Sequence, residues 1–330
     1  MSQREDILDL LSGKKMDSQP SFSGLIHVTA EGLQSEGLVF HETHKDPQKM
    51  AKAAASTFKL TGIPSATLPL DLCASAEALG AGLNFYEGGE FQFPQVMRAL
   101  FKSVKDLTTD HTEIITKGRI NIICEAIGLV KNNIGKEAVI SGVIPGPYTL
   151  LLYLCDARNL FNEMKKEPQT VIDALFLLTS FLAEIGTAYK NAGADFITIH
   201  DMGGSPAFIG PAKYEQFVFP AEKSLIENLP RPRVLSVCGN VTSSLHLLAQ
   251  TGADAISLDQ TVDLTAARVA LKDTLLFGSI DPVEILYQGD DVQVHKSVFR
   301  AKEAGVDAIW PGCDLVIQTP IQNIQEMLKM

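Results

Sequence analysis

The stretch NAGADFITIHD, residues 191–201, decides the fold. A helical pattern ends at Gly193, an Ala-Asp joint follows, and Phe-Ile-Thr-Ile then reads as a short buried strand that stops at His200 and Asp201. The same joint recurs as Gly-Ala-Asp at 252–254 and as Gly-Val-Asp at 305–307. Each leads from a helix into an apolar run, the order expected of repeated βαβ units.

Working outward, strands are predicted near 25–28, 65–70, 139–143, 196–200, 234–238, 255–258, 275–279 and 308–310. Eight strands separated by helices make a (β/α)8 TIM barrel the simplest right-handed topology, with a doubly wound open sheet as the alternative. Val171, Leu175, Leu178, Leu182, Ile185 and Tyr189 form one helical stripe that Pro168 opens and Gly193 follows. Asp46 and Pro47 likewise cap and open a helix running towards Lys59. No linker or low-complexity tract interrupts residues 1–330, so one domain is expected. Residues 83–93 (LNFYEGGEFQF) read as a hairpin around Gly88 and Gly89, inserted after the second strand on the catalytic side.

The composition bounds the function. A hydrophobic fraction of 45% suits strands buried on both faces. A net charge of −11 excludes the basic footprint of a nucleic-acid or anionic-membrane binder. The apolar stretch 175–185 is broken by Thr179, Ser180 and Glu184, so no bilayer span is expected. Five cysteines without framework spacing suit a reducing cytoplasm. Nucleotide-binding glycine loops and a Gly-x-Ser-x-Gly elbow are absent from the sequence.

In a barrel, polar residues just after strands carry the chemistry. The candidates are Asp71, His200, Asp201, Cys238, Asn240, Asp259, Asp281 and Cys313. Cys238 and Cys313 each follow a strand beside a glycine and open onto the same mouth, where two thiols can converge on zinc. The other reading is that both are buried small hydrophobes, as Cys73, Cys124 and Cys155 are expected to be. His200 serves either as a metal ligand or general base, or as a histidine satisfied by a loop carbonyl. Asp259 and Asp281 either bind substrate or cap the helices that follow. His41-Glu-Thr-His44 resembles half a metal motif but reads better as a solvated loop before a helix.

SLDQTVDL (257–264) with GSIDP (278–282) resembles the uroporphyrinogen decarboxylase superfamily. The resemblance is closer to its methylcobamide:coenzyme M methyltransferase branch. It extends through LLSGKKMD (10–17), Glu125-Ala126-Ile127, PGPYT (145–149), AGAD (192–195), VCGNV (237–241), PGC (311–313) and His44. It implies a corrinoid-dependent methyltransferase of one-carbon metabolism, acting on a methylated corrinoid carried by a partner protein. The acceptor implied is a coenzyme M-type thiol, with tetrahydrofolate as a second possibility. The reverse reaction, demethylation of a small substrate onto the corrinoid, is an alternative, and a non-catalytic corrinoid-protein partner is another.

Two departures matter. The decarboxylases carry an arginine-bearing loop after the first strand, whereas no arginine lies between Arg4 and Arg98 here, so porphyrinogen decarboxylation is not expected. The methyltransferases resemble His-x-Cys plus a distant Cys holding zinc, and here Ser236 stands where the histidine would be. The resemblance thus implies Cys238 and Cys313 as zinc ligands, with His200 the first substitute for the missing histidine and Asp259 the second. Asp259, His200 and Asn240 are the candidate catalytic residues; Asp201, Asp281 and Asp71 are the candidate substrate-binding ones.

Overall fold

The computed structural model describes residues 2–16, 18–109 and 113–329. Asp17, the last residue of the motif at 10–17, lies outside the described residues. In chain order the strands are β1 (Ser65–Leu68), a hairpin of β2 (Leu83–Asn84) and β3 (Gln95–Val96), then β4 (Val139–Pro145), β5 (Phe196–Asp201), β6 (Arg233–Val237), β7 (Ala255–Leu258) and β8 (Leu275–Phe277). All but the hairpin form one parallel sheet in the order β1-β4-β5-β6-β7-β8. These six correspond to the second to seventh predicted strands. The hairpin sits where it was expected, although its paired residues extend to Val96, beyond the predicted end at 93.

The first and eighth predicted strands need correction. Residues 25–28 form no ladder, and residues 308–310 are held only by isolated bridges, Ser21 to Ile309 and Phe277 to Ala308. The physical reason is visible at Gly24. A Cβ there would fall 2.5 Å from Thr198 Oγ1 and 2.6 Å from the Phe196 and Trp310 rings, so the first segment presses into the barrel interior. Its backbone is met largely by side chains instead of a neighbouring ladder. Ser23 N donates to Ser65 Oγ at 3.0 Å, and Ile26 N donates to Asp314 Oδ1 at 2.8 Å. Leu315 N donates to Ile26 O at 2.9 Å. The barrel is therefore closed at its first and eighth positions by irregular backbone.

The period-two alternation of strands sorts their side chains into layers. Ile197, Ile199, Leu235, Ile256 and Leu276 face the helices and join the larger apolar cluster. Facing inward, Val139, Phe196, Val234, Ala255 and Phe277 close the floor with Phe22 and Trp310, and Ile7, Leu10 and Leu11 of the helix Gln3–Leu11 join them. One step higher stand Ser141 and Thr198, whose hydroxyls are 2.8 Å apart, with Ser236 and Ser257 on the next strands. His200 and Cys238 follow at the top.

The helices begin and end as the residues dictate. Asp46 accepts from Lys49 N and caps Pro47–Thr61, while Pro168 opens the helix that runs to Ala192. That 25-residue helix is long and apolar enough to cross a membrane by composition. Its stripe of Leu175, Leu178, Phe181, Leu182 and Ile185 is instead fully buried in the larger apolar cluster.

Candidate active site at the barrel mouth

β5 and β6 pair in register so that His200 lies opposite Ser236. Both side chains are buried, and Cys238 follows two residues further along the same chain. The turn after Cys238 is made by Gly239 in the left-handed region, with its N–H donated to Asp259 Oδ2 at 2.8 Å. Cys313 arrives from the other end of the barrel wall on the Pro-Gly-Cys turn. A Cβ on Gly312 would fall 2.5 Å from Gln260 Oε1 and 2.8 Å from Ser279 Oγ, so only glycine lets this turn approach.

Three donor atoms converge there. His200 Nε2 is 3.3 Å from Cys238 Sγ and 3.9 Å from Cys313 Sγ, and the two sulfurs are 3.4 Å apart. Among the described residues this is the one group of three His, Cys, Asp or Glu whose ligand atoms lie within 4.8 Å of one another.

A residue not singled out from the sequence supports the imidazole. Asp314 Oδ2 lies 3.6 Å from His200 Nδ1, while its Oδ1 accepts from Ile26 N. Burial disfavours a charged imidazole, but the Asp314 carboxylate and the Cys313 sulfur outweigh it and hold His200 up to about 9. Burial in turn pushes Asp314 up to about 6, against the pull of His200. Within the thiol pair, the hydrogen bond from Cys238 draws Cys313 down with help from His200, and Cys238 is driven up by the same bond and by burial.

The other candidates are placed differently. Asp259 is occupied by Gly239 N and by the N–H and hydroxyl of Thr261, so it fixes the turn after Cys238 and is not in the convergent group. Asp281 accepts from Val283 N and Glu284 N, the capping geometry. Asn240 is exposed, donates to Thr261 O and accepts from Thr242 N. Asp201 Oδ1 accepts from Thr149 Oγ1 at 2.5 Å and Gly204 N at 2.9 Å, and so orders the loop whose Ser205 hydroxyl donates to Cys238 O.

Asp71 is not open to substrate. Arg119 grips both of its oxygens at 2.9 and 3.1 Å, and His44 Nδ1 stands 3.0 Å away. This corrects the reading of His41–His44 as a solvated loop, because His44 is wholly buried. Arg119 itself was missed. It lies 48 residues from Asp71 in sequence, and its position before the helix Ile120–Ile134 carries no motif that would have marked it. Cys73 and Cys155 are buried and Cys124 half-buried, as expected of small apolar side chains.

Two clefts flank the mouth and share Leu152 and Tyr153. One, of 460 Å³, is lined by Cys73, Gln95, Arg98 and Asp156 among others; the second, of 290 Å³, by Thr149, Met202, Gly203 and Phe208. A larger cleft of 760 Å³ lies beside the floor, but its charges are largely spent in the pairs Arg231–Asp254 and Arg268–Asp307.

Comparison with known proteins places the chain in a family. Residues 2–330 match the family model described as uroporphyrinogen decarboxylase (URO-D). The methylcobamide:CoM methyltransferase MtbA of Methanosarcina mazei is 31% identical over 333 residues, covering 99% of this chain and 96% of that protein. MtbA of Methanosarcina acetivorans is 30% identical over 336 residues with the same coverage. A uroporphyrinogen decarboxylase of Geobacter sp. is 26% identical over 263 residues, covering 77% of this chain and 74% of that enzyme. Among solved structures, a methyltransferase from Methanosarcina mazei shares the fold with a TM-score of 0.94 and 24% identity, covering 100% of this chain and 98% of its own.

Proposed function

The chain belongs to the uroporphyrinogen decarboxylase family, and on that footing we propose that it moves a methyl group from a methylated corrinoid protein to a small thiol of the coenzyme M type. The observation that carries the choice of acceptor is the convergence of His200 Nε2, Cys238 Sγ and Cys313 Sγ. Donors bound tetrahedrally to zinc at ~2.0–2.3 Å stand about 3.3–3.8 Å apart. The separations of 3.3 and 3.4 Å lie in that range and that of 3.9 Å just beyond it, so with a small adjustment two thiolates and one imidazole would hold the ion and leave one position for substrate. Zinc there supplies a Lewis acid that keeps the acceptor sulfur in its nucleophilic thiolate form at neutral pH.

The chain's own residues do the positioning. Asp314 orients the His200 ring, Asp259 fixes the Gly239 turn, and Asp201 with Ser205 anchors the backbone of Cys238. His200 takes the role that Ser236 has vacated, and its register pairing with Ser236 explains how the imidazole reaches the same place from the neighbouring strand. Asn240 and Asp281, at the rim, remain candidates for contacts to substrate or partner. Residues 1–330 act as one domain, and a pair of cysteines committed to a metal suits a reducing cytoplasm.

A tetrahydrofolate acceptor would suit a metal site lost with Ser236, whereas the convergence of His200 with the two cysteines supports the thiol. Porphyrinogen decarboxylation gains no support either, since the buried Arg119 is spent on Asp71 and Glu77. An anaerobic spectral assay tests the reading, with methylcobalamin and either coenzyme M or tetrahydrofolate. Co(I) forming with coenzyme M is the expected result. Co(I) forming only with tetrahydrofolate would overturn the choice of acceptor.

A further inference from the structure

The strand end beside His200 carries a pair of carboxyl groups whose pairing the methyl-transfer reading leaves unused. Asp201 and Glu222 are both wholly buried. Tyr214 opens the π-helical turn Tyr214–Val218, and Glu222 stands in the first turn of the helix Phe219–Asn228 that follows. The Tyr214 hydroxyl donates to Glu222 Oε2 at 2.6 Å. Asp201 Oδ1 accepts from Thr149 Oγ1 and from Gly204 N. That leaves Asp201 Oδ2 and Glu222 Oε1, each buried and without a hydrogen-bond partner among the described residues.

The two side chains are within reach of each other. Burial first, then the charge of Asp201 and a hydrogen bond between the pair, push the Glu222 carboxyl well above its usual range. Two carboxylates could only accept, and two such charges cannot share a dry site. One proton between them satisfies both open oxygens. It belongs on Glu222. Two donors on Oδ1 favour the charged form of Asp201, whereas the Tyr214 bond to Oε2 leaves Glu222 Oε1 free to carry the hydrogen.

Asp201 in turn anchors the loop that holds Cys238. The Thr149 hydroxyl that donates to Asp201 also accepts from Gly203 N at 2.8 Å. A Cβ on Gly146 would fall 2.5 Å from Asp201 Cγ, and one on Gly204 would collide with Oδ2, so backbone packs against the carboxylate on two sides. Cys238 N donates to Asp201 O at 3.5 Å, and the Ser205 hydroxyl donates to Cys238 O. Both backbone polar groups of Cys238 are thus held by residues 201–205.

We propose that Glu222 is a positioning residue kept as the neutral acid, whose O–H donated to Asp201 Oδ2 fixes residues 201–205 and, through them, Cys238. The proposal rests on the reading of Cys238 as a zinc ligand.

Glu222→Gln and Glu222→Leu test it on zinc-loaded protein. The amide of Gln still donates to Asp201 and still accepts from Tyr214, whereas Leu leaves Asp201 Oδ2 unmet. In a chelator competition Glu222→Gln should keep the wild-type zinc affinity, and Glu222→Leu should lose about tenfold, the low end for a supporting hydrogen-bond partner. Infrared difference spectra of wild type against Glu222→Gln should show the carbonyl stretch of a buried neutral carboxylic acid. That band should shift in protein labelled with 13C-carboxyl glutamate and stay put with labelled aspartate. If Glu222→Leu does not fold, Glu222→Gln and the band decide. A missing band, one that follows labelled aspartate, zinc loss in Glu222→Gln, or full affinity in Glu222→Leu each overturns the proposal. Zinc absent from the wild type would instead overturn the reading of Cys238, a failure the infrared band does not share.

Discussion

At the floor of the barrel, Phe22 meets Phe196, Phe277 and Trp310 edge to face with ring centroids 5.1–6.3 Å apart. At the mouth, strands that supply those rings and the loops beyond them end in His200, Cys238, Cys313 and Asp314. Phe196 and His200 lie on one strand four residues apart, facing the same interior. The floor is cemented by contact area and edge-to-face packing, worth about 0.5–1.5 kcal/mol per aromatic pair beyond burial. The mouth holds groups that are poor packers and good ligands, each kept in place by a specific hydrogen bond. One end of the barrel can therefore be altered for stability and the other for chemistry, with little exchange between them.

That separation can be broken in order of expected effect. Cys238→Ala should abolish zinc retention and lower methyl transfer by more than the ~10–100-fold that losing a supporting hydrogen-bond partner costs, while the thermal midpoint measured on metal-free protein barely moves. Trp310→Ala is the converse. It should cost about 3–5 kcal/mol in denaturant unfolding yet leave zinc content unchanged in the folded fraction. A Trp310→Ala protein that folds at full stability would mean the floor is not a packed core.

Asp314→Asn sharpens the comparison within the mouth. It removes the charge beside His200 Nδ1 and should weaken zinc binding about 10–100-fold in a chelator competition, with no loss of stability. Ser236→His has the smallest expected effect on zinc, a tightening of up to about tenfold, because the protein already has three ligands. Its effect on turnover should be larger, since a fourth ligand closes the position that substrate needs. Faster turnover in Ser236→His would show that His200 is an inadequate substitute.

Much of this was legible before the structure. The joints at 193–195 and 252–254 located two helix-to-strand turns, and β-branched or apolar runs located the six strands of the parallel sheet. The first and eighth positions were only half legible. Their segments carry the apolar pattern of strands, but Gly24 lets the chain turn into the interior and side chains take over the hydrogen bonding. Cys238, Cys313 and His200 were readable as strand ends, and the structure brings those three together. Asp259 was equally readable but is consumed by the turn it stabilises. Arg119 and Asp314 were invisible for different reasons. Arg119 is joined to Asp71 and His44 only by the folded barrel, and Asp314, next to Cys313 in sequence, meets His200 only once the barrel closes.

The whole reading turns on His200 serving as the third zinc ligand. Elemental analysis of purified wild type and His200→Ala, each dialysed against a mild chelator, tests it most directly. About one zinc per chain in wild type and almost none in His200→Ala is the expected result. Zinc retained in full by His200→Ala, or absent from wild type, would contradict it.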